Sequence, residues 1–392
     1  MPLNRFRITA NGFYVRAQTW DDVFNLDGMG DEVYLAGDVR SINSDKTDDY
    51  QSDITSLVMG DTGATANIIR AGTLKGTGGL QSGDRFPTDQ PWKKSRSAHL
   101  GNNYPPMKLW EGSLLPGARA VFISLAIYEF DPGASPLQDF AKWISGASKK
   151  FKAEIGKHLG PTGKTVYEGV ELGLGILTSM DDAGILGSAG TRPIGMTRDL
   201  STPTRANFTP KVVILNHDSA MRMIDDQPRG LGHGTIELRY QDDPYYRGDY
   251  SIYLQVELLL DDGLVVKSDD NPAIYSIVGG GKLRIGDPAH LLDRYGGWGN
   301  VEIVPRGALA ELPEFPKDDT VIQEWDAPEV YVCCGGAKVW IPSPVELQKY
   351  YGPGLSRIVK VQNGTASRLP DHPEPGVIFK ERGTGRAVQF LG

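Results

Sequence analysis

The chain has 392 residues, 40% of them hydrophobic and 23% charged, with a formal net charge of −8. That length suffices for two or three domains with cores of their own, and the negative balance argues against nucleic acid as a partner. No apolar run reaches the roughly 18 residues a membrane-spanning helix needs, and Met1 to Phe13 holds no apolar leader segment.

Residues 1–130 read as short strands. "RFRITANGFYV" from Arg5, "EVYLAGDV" from Glu32, "ITSLVMG" from Ile54 and "RAVFISLAIYEF" from Arg119 are β-like, with apolar positions recurring at a period of two. Abundant glycine (48) and proline (26) fit a turn-rich β architecture. Residues 71–115 form a long Gly/Pro-rich stretch, expected to be a loop that packs Trp92 and Trp110 over a sheet edge.

Between 135 and 185 the period changes. Phe140, Trp143, Ile144, Ala147, Phe151, Ile155 and Leu159 fall at helical spacing, and Ser135-Pro136-Leu137-Gln138 is a helix start signal. Lys142, Lys149, Lys150, Lys152 and Lys157 occupy the opposite face. Gly163-Lys164-Thr165 looks like a phosphate loop, but the first glycine of that motif would stand at 158, which is His158. Thr165 and Glu168 instead form a capping box, so the stretch reads as the turn of an αα-hairpin, and ATP is not expected to bind. "KVVILNHD", "GTIELRYQ" and "YSIYLQVELLL" then return to strand and complete the sheets. The expected fold is mainly β: a β-sandwich over 1–262, comparable with C2-like calcium domains at the level of fold only, with the helical insertion at about 135–185. A smaller β domain follows over 263–392.

That second region repeats. "NPAIYSIVGGGKLRIGDPAHLLDRYGG" from Asn271 aligns with "APEVYVCCGGAKVWIPSPVELQKYYGP" from Ala327 at an offset of 56, matching Tyr275 with Tyr331, Lys282 with Lys338 and Pro288 with Pro344. Further on the offset becomes 57, matching Val304 with Val361 and Pro313 with Pro370. A two-strand unit is expected three times, near 264–279, 320–335 and 377–392, joined by two connectors of about 40 residues. Such units bury their apolar faces on one another. Cys333 and Cys334, the only cysteines, are adjacent and on a strand would face opposite ways. They read as two thiols in a reducing setting, which suits a cytoplasmic protein or one exported without a conventional signal peptide.

"VYVCCGGAKVWIPSP…YYG" resembles a GGAK-x-WIP-type repeat of uncharacterised bacterial proteins. "TWDDVFNLDGMGDEVYL", "TGGLQSGDRFPTDQPW", "LWEG" and "RPIGMTR" are similar to a bacterial family to which no activity is attached. The resemblance implies no catalytic residue.

The candidate chemistry is sparse. "DDVFNLDGMGDE" places Asp21, Asp22, Asn25, Asp27 and Asp31 in one glycine-containing loop, an oxygen-rich set of the kind Ca2+ takes, although it departs from the EF-hand spacing; a solvated acidic loop is the plainer alternative. A second acidic stretch, "NSDKTDDYQSD" from Asn43, reads as another loop. The six histidines form no zinc-ligand spacing. Asn216-His217-Asp218, directly after "VVIL", is the nearest approach to a hydrolase element; a polar turn closing the strand is the alternative. In "GGAKVWIPSP", Lys338 and Trp340 are the candidate ligand-binding pair, with inter-repeat packing the competing role for Trp340. The expectation is a non-enzymatic binding or interaction protein, calcium-assisted, whose repeat domain contacts a protein, a glycan or a membrane surface. A membrane-active protein using the helical hairpin and a hydrolase at His217/Asp218 are the alternatives.

Overall fold

The structure, a computed structural model, describes residues 3–19, 30–43, 48–63, 67–94, 100, 103–130, 191–198, 206–208, 211–225, 230–310, 312–352, 358–373, 378–380 and 387–389. Strand accounts for 47% and helix for 14% of the described residues, so the fold is mainly β. It divides into two compact units, Pro2–Leu258 and Leu259–Gly392. The border lies slightly upstream of the expected 262/263, where the last long strand of the first unit ends. The expected helical insertion and its turn at Gly163-Lys164-Thr165 lie outside the described residues.

The first unit holds β1 (Arg5–Ala17), β2 (Val33–Asn43), β3 (Asp48–Thr55), β4 (Met59–Gly60), β5 (Ile69–Arg70), β6 (Arg85–Phe86), β7 (Met107–Ser113) and β8 (Arg119–Phe130). These are followed by β9 (Thr191–Pro193), β10 (Met196–Arg198), β11 (Ala206–Phe208), β12 (Val212–Asn216), helix α1 (His217–Asp225), β13 (Thr235–Gln241) and β14 (Asp249–Leu258). One sheet runs β13-β14-β1-β6, with β7 also on β1; the other runs β12-β8-β2-β4-β5, with β3 beside β2 and β9 beside β8. The Tyr240 hydroxyl crosses from the first sheet to donate to the Leu125 carbonyl of the second at 2.8 Å. Phe6, Ile8, Phe13, Leu35, Val39, Ile123, Leu125, Ile252 and Leu254 are fully buried.

Nearly every residue of β14 is buried, so both of its faces are covered. The 71–94 segment supplies part of the outer cover. The Trp92 ring meets Tyr253 edge-on at 5.8 Å, and Asn11 Nδ2 donates to the Trp92 carbonyl at 3.0 Å. The Asp84 carboxylate draws that segment together by accepting from Thr73 N, Thr73 Oγ1 and Gln81 N. Where β1 shifts register between Ala10 and Gly12, a Cβ on Gly12 would stand 2.2 Å from the Phe86 carbonyl oxygen; glycine is what allows the segment to lie this close. Trp110 is buried within β7, opposite Ile8 on β1.

Two expectations need correction. The acidic stretch from Asn43 is not a loop throughout: its second half is β3, which pairs along β2 from Ser41↔Tyr50 to Ala36↔Thr55. Strand pairing outweighs the local polarity there. The polar turn after "VVIL" is the start of α1, where Asn216 Oδ1 accepts from Ser219 N at 2.8 Å and Asn216 N donates to Ser219 Oγ at 2.9 Å. This reciprocal capping satisfies donors that a helix end leaves open.

The second unit contains two four-stranded sheets of one design. The first comprises β15 (Val265–Ser268), β16 (Ile274–Val278), β17 (Gly281–Ile285), α2 (Pro288–Tyr295), β18 (Val301–Val304) and the short α3 (Arg306–Ala310). The second comprises β19 (Val321–Glu324), β20 (Val330–Cys334), β21 (Ala337–Ile341), α4 (Pro344–Tyr351), β22 (Ile358–Val361) and α5 (Thr365–Arg368). Their strand orders are β17-β16-β15-β18 and β21-β20-β19-β22. In each, an antiparallel meander is closed by a parallel fourth strand from the connector. The connectors are thus not plain links. Each helix start is marked in the sequence: Asp287 accepts from Ala289 N before Pro288, and Ser343 accepts from Glu346 N before Pro344. A last hairpin, β23 (Ile378–Lys380) with β24 (Ala387–Gln389), completes the described strands.

Candidate functional site

Asp31, the one residue of the expected calcium set among the described residues, is buried at the edge of the first unit's core. Asp21, Asp22, Asn25 and Asp27 lie outside the described residues. Asp31 Oδ2 accepts from Thr19 N at 2.8 Å and from the Tyr250 hydroxyl at 2.5 Å. Its Oδ1 lies 2.9 Å from Thr19 Oγ1, which is also 2.5 Å from Glu129 Oε1. A hydroxyl has one proton to donate, so two ionised carboxylates cannot both be satisfied by Thr19. Burial pushes the Asp31 carboxyl up to about 6, against the lowering effect of its bonds from Tyr250 and Thr19. The two carboxyls therefore compete for the single Thr19 hydroxyl proton, and burial makes Asp31 take up a proton at a higher pH than an ordinary carboxyl does. Burial, and then the Asp31 carboxyl, hold the Tyr250 phenol well above its ordinary range, so it stays a donor.

The polar cluster continues through Arg192. Glu129 and Arg192 are direct cross-strand partners on β8 and β9. Arg192 Nε lies 3.0 Å from Glu129 Oε2, close enough for an ion pair but not aligned as a hydrogen bond. Arg192 Nη1 donates to Asp242 Oδ2 at 2.9 Å, and its guanidinium covers the Tyr246 ring at 4.9 Å. The fully buried Asp242 side chain also accepts from Gly195 N, Met196 N and Gly248 N at 2.7–3.0 Å. The buried carboxyls of Asp31, Glu129 and Asp242 are thus held by one guanidinium, by backbone donors and by the hydroxyls of Thr19 and Tyr250.

His217 opens α1. Its Nε2 lies 3.1 Å from the Leu3 carbonyl and its Nδ1 3.0 Å from Asp218 Oδ1, while Phe6 meets the ring edge-on at 5.9 Å. Both ring nitrogens thus have partners within the protein.

In the second unit Lys338 and Trp340 have different surroundings. Lys338 Nζ donates to the Leu369 carbonyl at 3.0 Å and pairs with the Asp371 carboxylate, and only 10% of its side chain is exposed. Lys282, its counterpart 56 residues earlier, donates to the Leu309 carbonyl at 2.7 Å. The two lysines tie their sheets to the connectors that follow. Lys338→Met is accordingly expected to lower stability by about 1–3 kcal/mol, the worth of a charge-assisted bond, in a urea titration, and to leave ligand binding unchanged. Trp340 is 58% exposed, beside Val339 at 46%. The sequence reading missed Leu292, Trp298 and Ile303, all exposed; a tryptophan inside the glycine-rich "GGWGN" was the available signal for Trp298.

Among the described residues no group of three or more His, Cys, Asp or Glu side chains could hold a metal ion, and no helix is long and apolar enough to cross a membrane. No protein-family model matches the chain, and neither the curated proteins nor the solved structures contain a match to it.

Proposed function

We propose that the chain is a non-enzymatic binding or interaction protein whose Leu259–Gly392 unit makes the contact. One observation carries this reading. Of ten exposed large hydrophobic residues among those described, six belong to this unit: Leu292, Trp298, Ile303, Val339, Trp340 and Val345. Exposed indoles supply broad, rigid apolar area with a polar edge, of the kind sugar rings and protein hot spots engage. The polar residues that sequence reading favoured for chemistry are engaged internally: Asp31 by Thr19 and Tyr250, Lys338 by Leu369 and Asp371. Calcium is not needed for this reading.

The test is a panel of immobilised glycans, proteins and anionic lipid vesicles presented to the full chain, with and without Ca2+. Saturable binding to one class, insensitive to chelator, is the expected result. Turnover of a substrate with no saturable binding to any class would contradict the reading.

A further inference from the structure

We infer that Asn363-Gly364 is a self-modification site: hydrolysis of the Asn363 amide, held back in the folded protein by Asp326, opens a clasp between β19 and β22. The chain contains two Asn-Gly steps, Asn11-Gly12 and Asn363-Gly364. Asn11 is fully buried in the first unit, with its amide on the Trp92 carbonyl and Gln255. Asn363 is only half-buried, in the turn that leads from β22 into α5.

The chemistry needs only water. The Gly364 nitrogen loses its proton and attacks Asn363 Cγ; the Cγ–Nδ2 bond breaks, and Nδ2 leaves as ammonia with that proton. Water then opens the cyclic imide at either carbonyl carbon, giving an aspartate or an isoaspartate at 363. A glycine nitrogen can make this approach because no Cβ stands in the way. Gly364 also has φ 81°, in the left-handed region that favours glycine, so the turn itself retains the labile step. Among the described residues nothing accepts a hydrogen bond from the Gly364 N–H.

The restraint acts on the other reactant. Asn363 Oδ1 accepts from Asp326 N at 3.1 Å, and Asn363 Nδ2 donates to Asp326 Oδ2 at 2.6 Å. Both polar atoms of the amide are fixed to one residue, so the side chain is not free to rotate onto the Gly364 nitrogen until the clasp opens. Reaction then draws on the locally open fraction of molecules. The clasp closes the end of the parallel β19–β22 pair, next to the bond from Trp325 N to the Val361 carbonyl at 3.1 Å. Hydrolysis replaces the Nδ2 donor with an acceptor, so that two carboxylates face each other. In the first sheet the corresponding positions hold Asp270 and Arg306, with no amide to lose, so the site is confined to the second. It involves none of the exposed tryptophans and stands apart from the proposed binding function.

The full chain would be incubated in mildly alkaline buffer, native and in urea, and both Asn-Gly peptides followed by mass spectrometry and an isoaspartate assay. Native wild type is expected to convert at Asn363 at least about tenfold more slowly than the chain in urea, because the charge-assisted clasp must first break. Asp326→Ala should raise the native rate at Asn363 by at least about tenfold and leave Asn11 unconverted. Asp326→Asn, whose amide oxygen can still accept from Asn363 Nδ2, should stay near the wild-type rate. The Asp326 side chain is 58% exposed, so these variants are expected to fold, which a melting curve checks. Asn363→Asp, the hydrolysis product itself, should lower the urea midpoint, and adding Asp326→Asn, which exchanges the two roles, should restore most of the loss. Native wild type that converts as fast as the chain in urea would overturn the inference. So would equal native rates in the wild type and Asp326→Ala, or an Asn363→Asp protein as resistant to urea as the wild type.

Discussion

Arg192→Met should destabilise the Pro2–Leu258 unit by about 3–5 kcal/mol, the cost of leaving buried charges without their partner. Arg192 is the cation of the buried cluster: it stands 3.0 Å from Glu129 Oε2 and 2.9 Å from Asp242 Oδ2. Methionine matches its length and apolar stem but removes the charge. Asp242 would keep its bonds from Gly195, Met196 and Gly248, so Glu129, held on its other oxygen by Thr19, bears most of the loss. Lysine should rescue only part of it, because one ammonium cannot reach two carboxylates along separate guanidinium edges. A urea titration near neutral pH reads the effect; a change below about 1 kcal/mol would mean that the cluster is not held by Arg192.

Asp31→Asn should alter how stability depends on pH rather than simply lower it. Burial raises the Asp31 carboxyl from 3.8 to about 6 in the folded protein. The folded state therefore holds this proton more tightly than the unfolded chain does. The resulting stabilisation is full below about pH 4 and fades as pH rises through about 6, to a total of roughly 3 kcal/mol. The amide introduced by the substitution cannot titrate, yet it can still meet Thr19 and Tyr250. Subtracting the variant's stability from that of the wild type should give a difference that falls by roughly 3 kcal/mol between pH 4 and pH 7. A difference that stays level, or that rises with pH, would show that burial does not raise the Asp31 carboxyl in the fold. Tyr250, Glu129 and Arg192, the titratable groups around Asp31, are unchanged in both proteins.

What could be read in advance follows from the range of the forces involved. The long strands β1, β2, β8, β13 and β14 were legible because one or both faces are buried, and that writes a period of two or a solid apolar run into the sequence. β18 and β22 were not, since "VEIV" and "IVKV" are too short to carry a period and gain their place by parallel pairing with β15 and β19. Their helices could have been found from Asp287-Pro288 and Ser343-Pro344. The Glu129–Arg192–Asp242 cluster leaves no local trace, because its members come from distant parts of the chain and meet only through strand register. Trp340 shows a different limit. Alternation puts it on the face opposite Val339, but whether a face is covered depends on the neighbouring layer, which alternation does not encode.

The most direct test of the binding account compares the wild-type chain with a Trp298→Ala, Trp340→Ala double variant, titrated with the glycan, protein or vesicle that binds in the panel. Both indoles are exposed at 58%, so the variant should melt at the wild-type temperature. It should bind at least about tenfold more weakly, as loss of aromatic anchors does. Undiminished affinity in a correctly folded double variant would place the contact outside these tryptophans and contradict the account.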